Sequence, residues 1–425
     1  MLIGAVADDI TGATDLCLML SRSGLKTRQV IGLPGPHTDL SGADAVVVAL
    51  KSRTIPAAEA VEMSLQAAQA LRDAGAQRLM FKYCSTFDST DAGNIGPVIE
   101  ALMDFTGAEQ TIACPAFPAT GRTVYKGHLF VGDRLLSESP LKDHPLTPMR
   151  DSDLVRVLGR QTRLPVGCID ITTIRQGEGA LRAALDAARK AGTRIVVTDT
   201  LDETDLMVLG AACADMPLIT GGSGIGLGLA AALRAQTDPR PAPTRMPAPA
   251  GRTAILAGSC SVATRGQIAT AQAAGLPSYA IDVNALSEGL QEASEIADWA
   301  IAQPADSTPL IYSSAEPGQL AKIQSRLGRE ASGALVEDTL ATVAKRLSDA
   351  GFTRMLIAGG ETSGAVTAAL GVSLLEIGPE IDPGVPWTAS LSEPHLALAL
   401  KSGNFGSEDF FLKAWDLLEP EAEHV

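Results

Sequence analysis

The sequence has no pair of cysteines at C-x-x-C spacing, no G-x-x-x-x-G-K-[ST] segment, no basic cluster and few aromatic residues. Its six cysteines (Cys17, Cys84, Cys114, Cys168, Cys213 and Cys260) are scattered, most of them inside apolar runs, so neither a zinc knuckle nor a disulfide framework is written in them. They read as small core side chains of a reduced, cytoplasmic protein. The missing lysine-bearing glycine loop excludes a P-loop. Lys and Arg number 34 against 49 Asp and Glu, a net charge of −15, which excludes nucleic acid and anionic membrane as main partners because a phosphate backbone needs clustered bases. No apolar stretch runs the width of a bilayer without Gly, Pro or charge, and the opening Met-Leu-Ile-Gly has no basic n-region before its apolar residues, so no signal peptide is expected. Aromatic residues make up only 4% of the chain while Ala and Gly are abundant, a composition suited to helices packed closely on a parallel sheet.

What is there is a long alternation of strand-like and helix-like segments over 425 residues, more than one core usually holds. The expected class is therefore α/β: two α/β domains with mainly parallel sheets and the active site in the cleft between them. The Pro-rich stretch 237–250 cannot join a helix or a central strand and reads as a spacer between domains 1–236 and 251–425.

Polar residues gather where the first domain's strands end. After the apolar run Leu2 to Ala7 come Asp8, Asp9, Ile10, Thr11, Gly12 and Ala13 at the start of a helix, where free N–H groups favour anions or hydroxyl-rich ligands. One Asp suffices to cap that helix, and two are present. The run Asp44 to Leu50 is followed by Lys51, Ser52 and Arg53, the last able to hold a carboxylate bidentately or else to sit as a surface residue before a helix. Lys82 to Asn94 is the richest polar cluster, with Lys82, Ser85, Thr86, Asp88, Ser89, Thr90 and Asp91, a set suited to a polyhydroxy acid. Ser89 or Thr90 is also a candidate cap for a helix over Asp91 to Phe105. Cys84 reads as packing.

Residues 115–148 read as a long loop rich in Pro and Gly, of the kind that serves as a lid or as a subunit contact in a homodimer. His128 and His144 within it lack metal-ligand spacing and read as hydrogen-bonded loop histidines. Gly221 to Gly226 follows a strand and opens a helix, but the third glycine of a dinucleotide fingerprint is missing, so a nicotinamide-dependent dehydrogenase is not supported.

In the second domain two strands run into Gly-Ser turns, Gly258 to Ser261 and Gly359 to Ala365, and Lys401 to Gly406 adds a lysine followed by small residues. Such turns let backbone N–H groups meet phosphate oxygens without a P-loop lysine, and the Lys401 loop is expected to close over phosphates or an adenine ring. Three such stretches beside a domain rich in Asp and hydroxyls point to one half for a polyol acid and one for a nucleotide. A non-catalytic sugar-acid sensor would have no need of the second half's turns.

Across essentially its whole length, through Ala7 to Ala13, Lys51 to Arg53, Lys82 to Thr90, Gly359 to Gly364 and Lys401 to Gly406, the chain resembles the four-carbon acid sugar kinase family. Within that family, Lys82 to Thr90 and Cys114 to Pro118 are most similar to the branch acting on 3-oxo-tetronates. The resemblance implies ATP-dependent phosphorylation of the 4-hydroxyl of a 3-oxo-tetronate (2-dehydrotetronate), with D-threonate or D-erythronate as the alternative acceptor. It implies that Asp8, Asp9, Arg53, Lys82, Ser85 and Asp88 line the sugar acid, with Arg53 or Lys82 clamping its carboxylate. It further implies that Ser259, Gly360, Glu361, Thr362, Ser363 and Gly403 contact ATP, whose phosphates Mg²⁺ bridges. Asp9 or Asp88 is the carboxylate expected to orient the attacking hydroxyl. No metal ligand is indicated.

Overall fold

Strand register decides where the loops of the first half meet. The strand Ile3–Ala7 (β1) is buried on both faces, as a central parallel strand must be, and it lies between Ala45–Ala49 (β3) and Leu79–Lys82 (β4). Ala7 stands opposite both Ala49 and Lys82, so the three strands end level and hand their polar loops to one place. This computed structural model describes residues 1–35, 38–143, 147–234, 244–313, 325–326 and 328–420, without the side chains of residues 329, 330 and 420. His144 and residues 237–243 of the Pro-rich stretch lie outside the described residues.

The chain divides into two compact units, Met1–Ala242 and Pro243–Val425. The first unit adds Thr27–Ile31 (β2), Thr111–Cys114 (β5), Val166–Ile169 (β9), Ile195–Thr198 (β10) and Leu218–Gly221 (β11). Its strands run in the order β2-β3-β1-β4-β11-β5-β10-β9, every pair parallel. The helices of this unit are Ile10–Arg22 (α1), Ala57–Asp73 (α2), Ile95–Thr106 (α3), Leu154–Gln161 (α4), Ile171–Ile174 (α5), Glu178–Lys190 (α6), Glu203–Cys213 (α7) and Gly224–Leu233 (α8).

Several expectations are corrected. The stretch 115–148 is not a plain loop but contains an antiparallel meander, Arg122–Tyr125 (β6), His128–Val131 (β7) and Arg134–Leu135 (β8). His128 opens β7, its Nδ1 2.8 Å from the Lys126 carbonyl. α3 begins at Ile95 rather than Asp91, and neither Ser89 nor Thr90 caps it, because the Gln161 amide donates to the Ser89 hydroxyl (2.9 Å) and the Thr90 carbonyl (2.5 Å). Not every cysteine is a core residue: Cys17, Cys114 and Cys213 are buried, Cys84 and Cys260 half-buried, and Cys168 exposed on β9, the outermost strand of this unit's order.

The glycines around 221–228 serve packing. A Cβ on Gly222 would stand 2.5 Å from the Pro115 carbonyl oxygen, so β11 and its turn lie against the loop after β5. Further along, a Cβ on Gly228 would stand 2.0 Å from the Leu206 carbonyl oxygen and one on Gly210 2.0 Å from the Gly228 carbonyl carbon, so α7 and α8 touch backbone to backbone.

In the second unit Ser278–Ala280 (β14), Leu310–Tyr312 (β15), Arg252–Ala257 (β13), Phe352–Ala358 (β16), Ala397–Lys401 (β19), Val385–Ser390 (β18) and Leu374–Asp382 (β17) follow in that order. The first five are parallel, and β18 runs antiparallel to both neighbours. Met246–Ala248 (β12) pairs with Leu418–Pro420 (β20) apart from this sheet. Helices Val262–Ala273 (α9), Val283–Ser287 (α10), Ala293–Ile301 (α11), Arg329–Asp349 (α12), Gly360–Ala369 (α13) and Phe410–Lys413 (α14) complete the unit. Trp387 is fully buried in its core, its indole N–H donating to the Ala414 carbonyl at 2.7 Å. Ala257 pairs with Ala358, and Ala358 with Lys401, so three strands again end level.

Since α7 and α8 leave no room for a methyl group, Gly228→Ala is expected to cost about 3 kcal/mol of unfolding free energy. Chemical denaturation checks it, and an unchanged midpoint would contradict the packing described.

Candidate functional site

Both carboxylates after β1 have separate tasks. Asp9 is the N-cap of α1, with Oδ2 accepting from the Gly12 N–H (3.1 Å) and the Thr11 hydroxyl (3.0 Å). Its Oδ1 accepts from Arg53 Nη2 (2.5 Å) and from Lys82 Nζ (3.1 Å). Asp8 does not cap; it receives a bidentate fork from Arg53, Nε to Oδ2 and Nη2 to Oδ1, each at 2.8 Å, with Lys82 Nζ 3.9 Å from Oδ1. Burial pushes Asp8 above the ordinary carboxylate range in spite of Arg53, whereas for Asp9 the Arg53 and Lys82 charges outweigh burial and hold it well below that range. Gly12 leaves room for Lys82, because a Cβ at that position would stand 1.8 Å from Lys82 Nζ and displace it from Asp9.

The loop after β4 brings in Asp88. Its Oδ1 accepts from the Thr86 hydroxyl (2.8 Å), and its Oδ2 lies 4.0 Å from Arg53 Nη1. Phe87 and Asp88 both adopt the left-handed region, at φ 67° and 40°, unfavourable for side chains with a Cβ. The ring of Phe87, buried and edge-on to Tyr83 at 5.5 Å, anchors that turn. Cys84 lies 3.0 Å from the Thr86 hydroxyl, with burial pushing its thiol up to about 12, which suits packing rather than nucleophilic attack. Ser85 is half-buried on the same loop, its Cα 3.5 Å from the position of a Cβ on Gly222. Thus Asp8, Asp9, Arg53, Lys82 and Asp88 form one cluster, and Ser85 lies on the loop that carries Asp88.

One positioning residue had no clear signal in the sequence. The Asn94 amide donates to the carbonyls of Ser52 (2.7 Å), Ile55 (3.2 Å) and Arg53 (3.3 Å), pinning the loop that carries Arg53. An Asn just ahead of a helix reads as a cap; here its side chain makes no cap hydrogen bond.

In the second unit the level strand ends bring Ser259, Thr362 and Gly403 together. A Cβ on Gly403 would stand 2.4 Å from the Ser259 hydroxyl, and one on Gly258 2.2 Å from the Thr362 hydroxyl. Gly359, at φ 132°, precedes α13 and provides no side-chain cap to its first turn. Ser363 is fully buried and its Oγ has no partner among the described residues. Gly360 and Glu361 are exposed.

Lys401 departs from expectation. It is the last residue of β19 and fully buried, so it does not close over a ligand. Its Nζ donates to Thr264 Oγ1 (3.2 Å) and to the carbonyls of Ser402, Gly403 and Phe405 (each 3.0 Å). Burial pushes this ammonium down to about 7, while the four acceptor oxygens favour its charged form. Gln267 completes the hold, its amide donating to the Phe405 (3.1 Å), Gly406 (3.0 Å) and Ser407 (3.0 Å) carbonyls. Both contacts join α9 to a distant loop, and no local pattern announces them.

Comparison with known proteins follows this division. Residues 3–229 match the model of a sugar-binding N-terminal domain, and residues 254–411 that of a nucleotide-binding C-terminal domain. A 3-oxo-tetronate kinase of Burkholderia multivorans is 52% identical over 426 residues, covering 99% of this chain and 98% of its own. Another 3-oxo-tetronate kinase, from Pseudomonas fluorescens, is 52% identical over 415 residues, 97% of this chain and 96% of its own. A crystal structure from Salmonella typhimurium LT2, provisionally described as a tRNA synthase, matches with a TM-score of 0.88 at 43% identity, covering 97% of this chain and 98% of that one.

Behind the first cluster, Asp15 is buried on α1 with Oδ1 unpartnered among the described residues. Burial pushes its carboxyl from the ordinary 3.8 up to about 7, against a hydrogen bond from Ser223 and the charge of Lys82. The folded state thus holds this proton more tightly than the unfolded chain. Its stabilising contribution is complete below about pH 4 and is lost as pH rises through about 7. Asp15→Asn is therefore expected to be more stable relative to wild type at pH 8 than at pH 4, measured by urea unfolding at both; a pH-independent difference would show that the carboxyl does not titrate in this window.

Proposed function

The chain belongs to the four-carbon acid sugar kinase family, and from that premise we propose that it transfers the γ-phosphoryl group of ATP to the 4-hydroxyl of a 3-oxo-tetronate. The sugar acid binds at the cluster of the first unit, where Arg53 and Lys82 supply positive charge for its carboxylate. Asp8 and Asp9 orient those cations, and the Ser85 hydroxyl is assigned to hydrogen-bond the acid's oxygens. ATP binds at the strand ends of the second unit, where Ser259, Gly360, Glu361, Thr362, Ser363 and Gly403 stand and where a side chain at residue 403 would collide with Ser259.

The observation that carries the chemistry is the difference among three carboxylates. Both oxygens of Asp9 are occupied by two donors each, and two cations hold it ionised, which makes it a poor proton acceptor. Asp8 is committed to the Arg53 fork. Asp88 keeps Oδ2 at 4.0 Å from its nearest cation, on a turn held in an unfavourable conformation. Asp88 therefore accepts the proton of the 4-hydroxyl as that oxygen attacks the γ-phosphorus; the bond from phosphorus to the β–γ bridging oxygen breaks, and ADP leaves with the electron pair. Of the two carboxylates matched to this role, Asp88 is the one we assign.

Among the described residues, no three His, Cys, Asp or Glu side chains converge to hold a metal ion. Mg²⁺ would arrive with ATP, held chiefly by phosphate oxygens, and Glu361 in the first turn of α13 is the carboxylate we assign to assist it. Once bound, Mg²⁺ would neutralise phosphate charge. No described helix is long and apolar enough to cross a membrane, and six free thiols with ATP as co-substrate suit the cytoplasm. The net charge of −15 gives no support to an RNA-directed activity.

A coupled ADP-release assay tests the reading with Mg·ATP and both C2 configurations of 3-oxo-tetronate, beside threonate and erythronate. Turnover with the oxo acids is expected; turnover with the reduced acids alone would move the substrate to them, and silence across the panel would remove the kinase reading. Asp88→Asn should lower kcat by about a thousandfold with KM little changed and the thermal melt intact. Near-wild-type turnover would take the role away from Asp88.

A further inference from the structure

The loop after β19 is held from inside by a buried cation, an arrangement the nucleotide reading does not by itself require. The carbonyls of Ser402, Gly403 and Phe405 all face Lys401 Nζ, each at 3.0 Å. Gly403 O also accepts from Ser261 Oγ (2.5 Å) and Thr264 Oγ1 (2.9 Å). The carbonyls of Phe405, Gly406 and Ser407 face the Gln267 amide. In a planar trans peptide the N–H points opposite to the carbonyl of the preceding residue. Turning the carbonyls of 402, 403 and 405 inward therefore turns the N–H groups of Gly403, Asn404 and Gly406 outward. Ser407 displays the same logic with its partner in place, since Gly406 O faces Gln267 while the Ser407 N–H reaches Asp382 Oδ2 at 2.8 Å.

This loop lies against the Gly258–Ser261 turn. Gly403 abuts Ser259, and Asn404 is exposed. Consecutive N–H groups aimed the same way form an anion-binding concavity, and a positive charge behind them strengthens each peptide dipole. We propose that Lys401 is a positioning residue for nucleotide binding, which by gathering the loop carbonyls around its ammonium presents the Gly403 and Asn404 N–H groups to the phosphates. This rests on the reading that the second unit binds ATP. Lys401 itself, fully buried, does not touch the nucleotide.

The test measures ADP binding by calorimetry on the full-length chain and on Lys401→Met and Thr264→Val, together with KM for ATP and for the 3-oxo acid. Lys401→Met is expected to weaken ADP at least about tenfold and to raise KM for ATP in parallel, while KM for the oxo acid stays within about twofold. Thr264→Val, which removes one acceptor of Lys401 and one donor to Gly403 O, is expected to weaken ADP by about threefold. Unchanged ADP affinity in Lys401→Met, or equal losses for ADP and the oxo acid, would overturn the proposal. Should Lys401→Met fail to fold, Thr264→Val decides, unchanged ADP affinity again overturning it. Failure of the wild-type chain to bind ADP would overturn the nucleotide reading and this proposal together, whereas equal binding by wild type and Lys401→Met would overturn this proposal alone.

Discussion

Two neighbouring carboxylates in a sheet crevice repel each other unless cations are brought to them, and Arg53 meets that constraint in the first unit. Its guanidinium spans Asp8 and Asp9 at once, and Lys82 adds a second positive charge at 3.1 Å from Asp9. Removing one member of such a buried group leaves a bare charge and costs about 3–5 kcal/mol, so the members stand or fall together. Other features depend on this group. Gly12 leaves the space that the Lys82 ammonium fills, and Asn94 spends its amide on the loop that delivers Arg53. The level ends of β1, β3 and β4 make the meeting possible.

The second unit solves a comparable problem with the opposite sign. There a lone buried ammonium is satisfied by neutral oxygens, three peptide carbonyls and a hydroxyl. Salt would screen neither arrangement much, since both are largely withdrawn from water. One unit thus concentrates fixed charge, an arrangement that suits a charged, hydroxyl-rich acid. Its counterpart orients backbone dipoles, which suits an anion recognised by shape and by N–H groups.

Much of the scaffold was legible in the sequence because strands buried on both faces are continuous apolar runs, and because polar residues collect where such runs stop. That reasoning located Asp8, Asp9, Arg53, Lys82 and Asp88 at three strand ends, and the strand register brings them to one cluster. It did not resolve the division of labour between Asp8 and Asp9, which depends on the direction from which Arg53 arrives. Asn94, Gln267 and the inward turn of Lys401 left no local trace, since a side-chain amide or ammonium bonded to carbonyls of a distant segment imposes no spacing on the chain. Gly221 to Gly226 do form the turn from β11 into α8, and the close approach of β11 to the loop after β5 and of α7 to α8 adds a packing reason for the glycines there that spacing does not reveal. Small residues serve ligand approach and backbone approach equally, and composition does not separate the two.

The placement of β11 sets an order in time. Although β4 and β5 follow each other along the chain, they do not pair; β11 lies between them, with Leu79 opposite Leu218 and Ala113 opposite Thr220. A growing chain that already holds Asp8, Arg53 and Lys82 still lacks the strand joining the two parts of its sheet until more than a hundred further residues have emerged. Until then β4 and β5 each present an unpaired edge to whatever is near, and parallel closure over such a span is slow. Within the first unit's sheet, the gap between β4 and β5 therefore stays open until residue 221 has emerged.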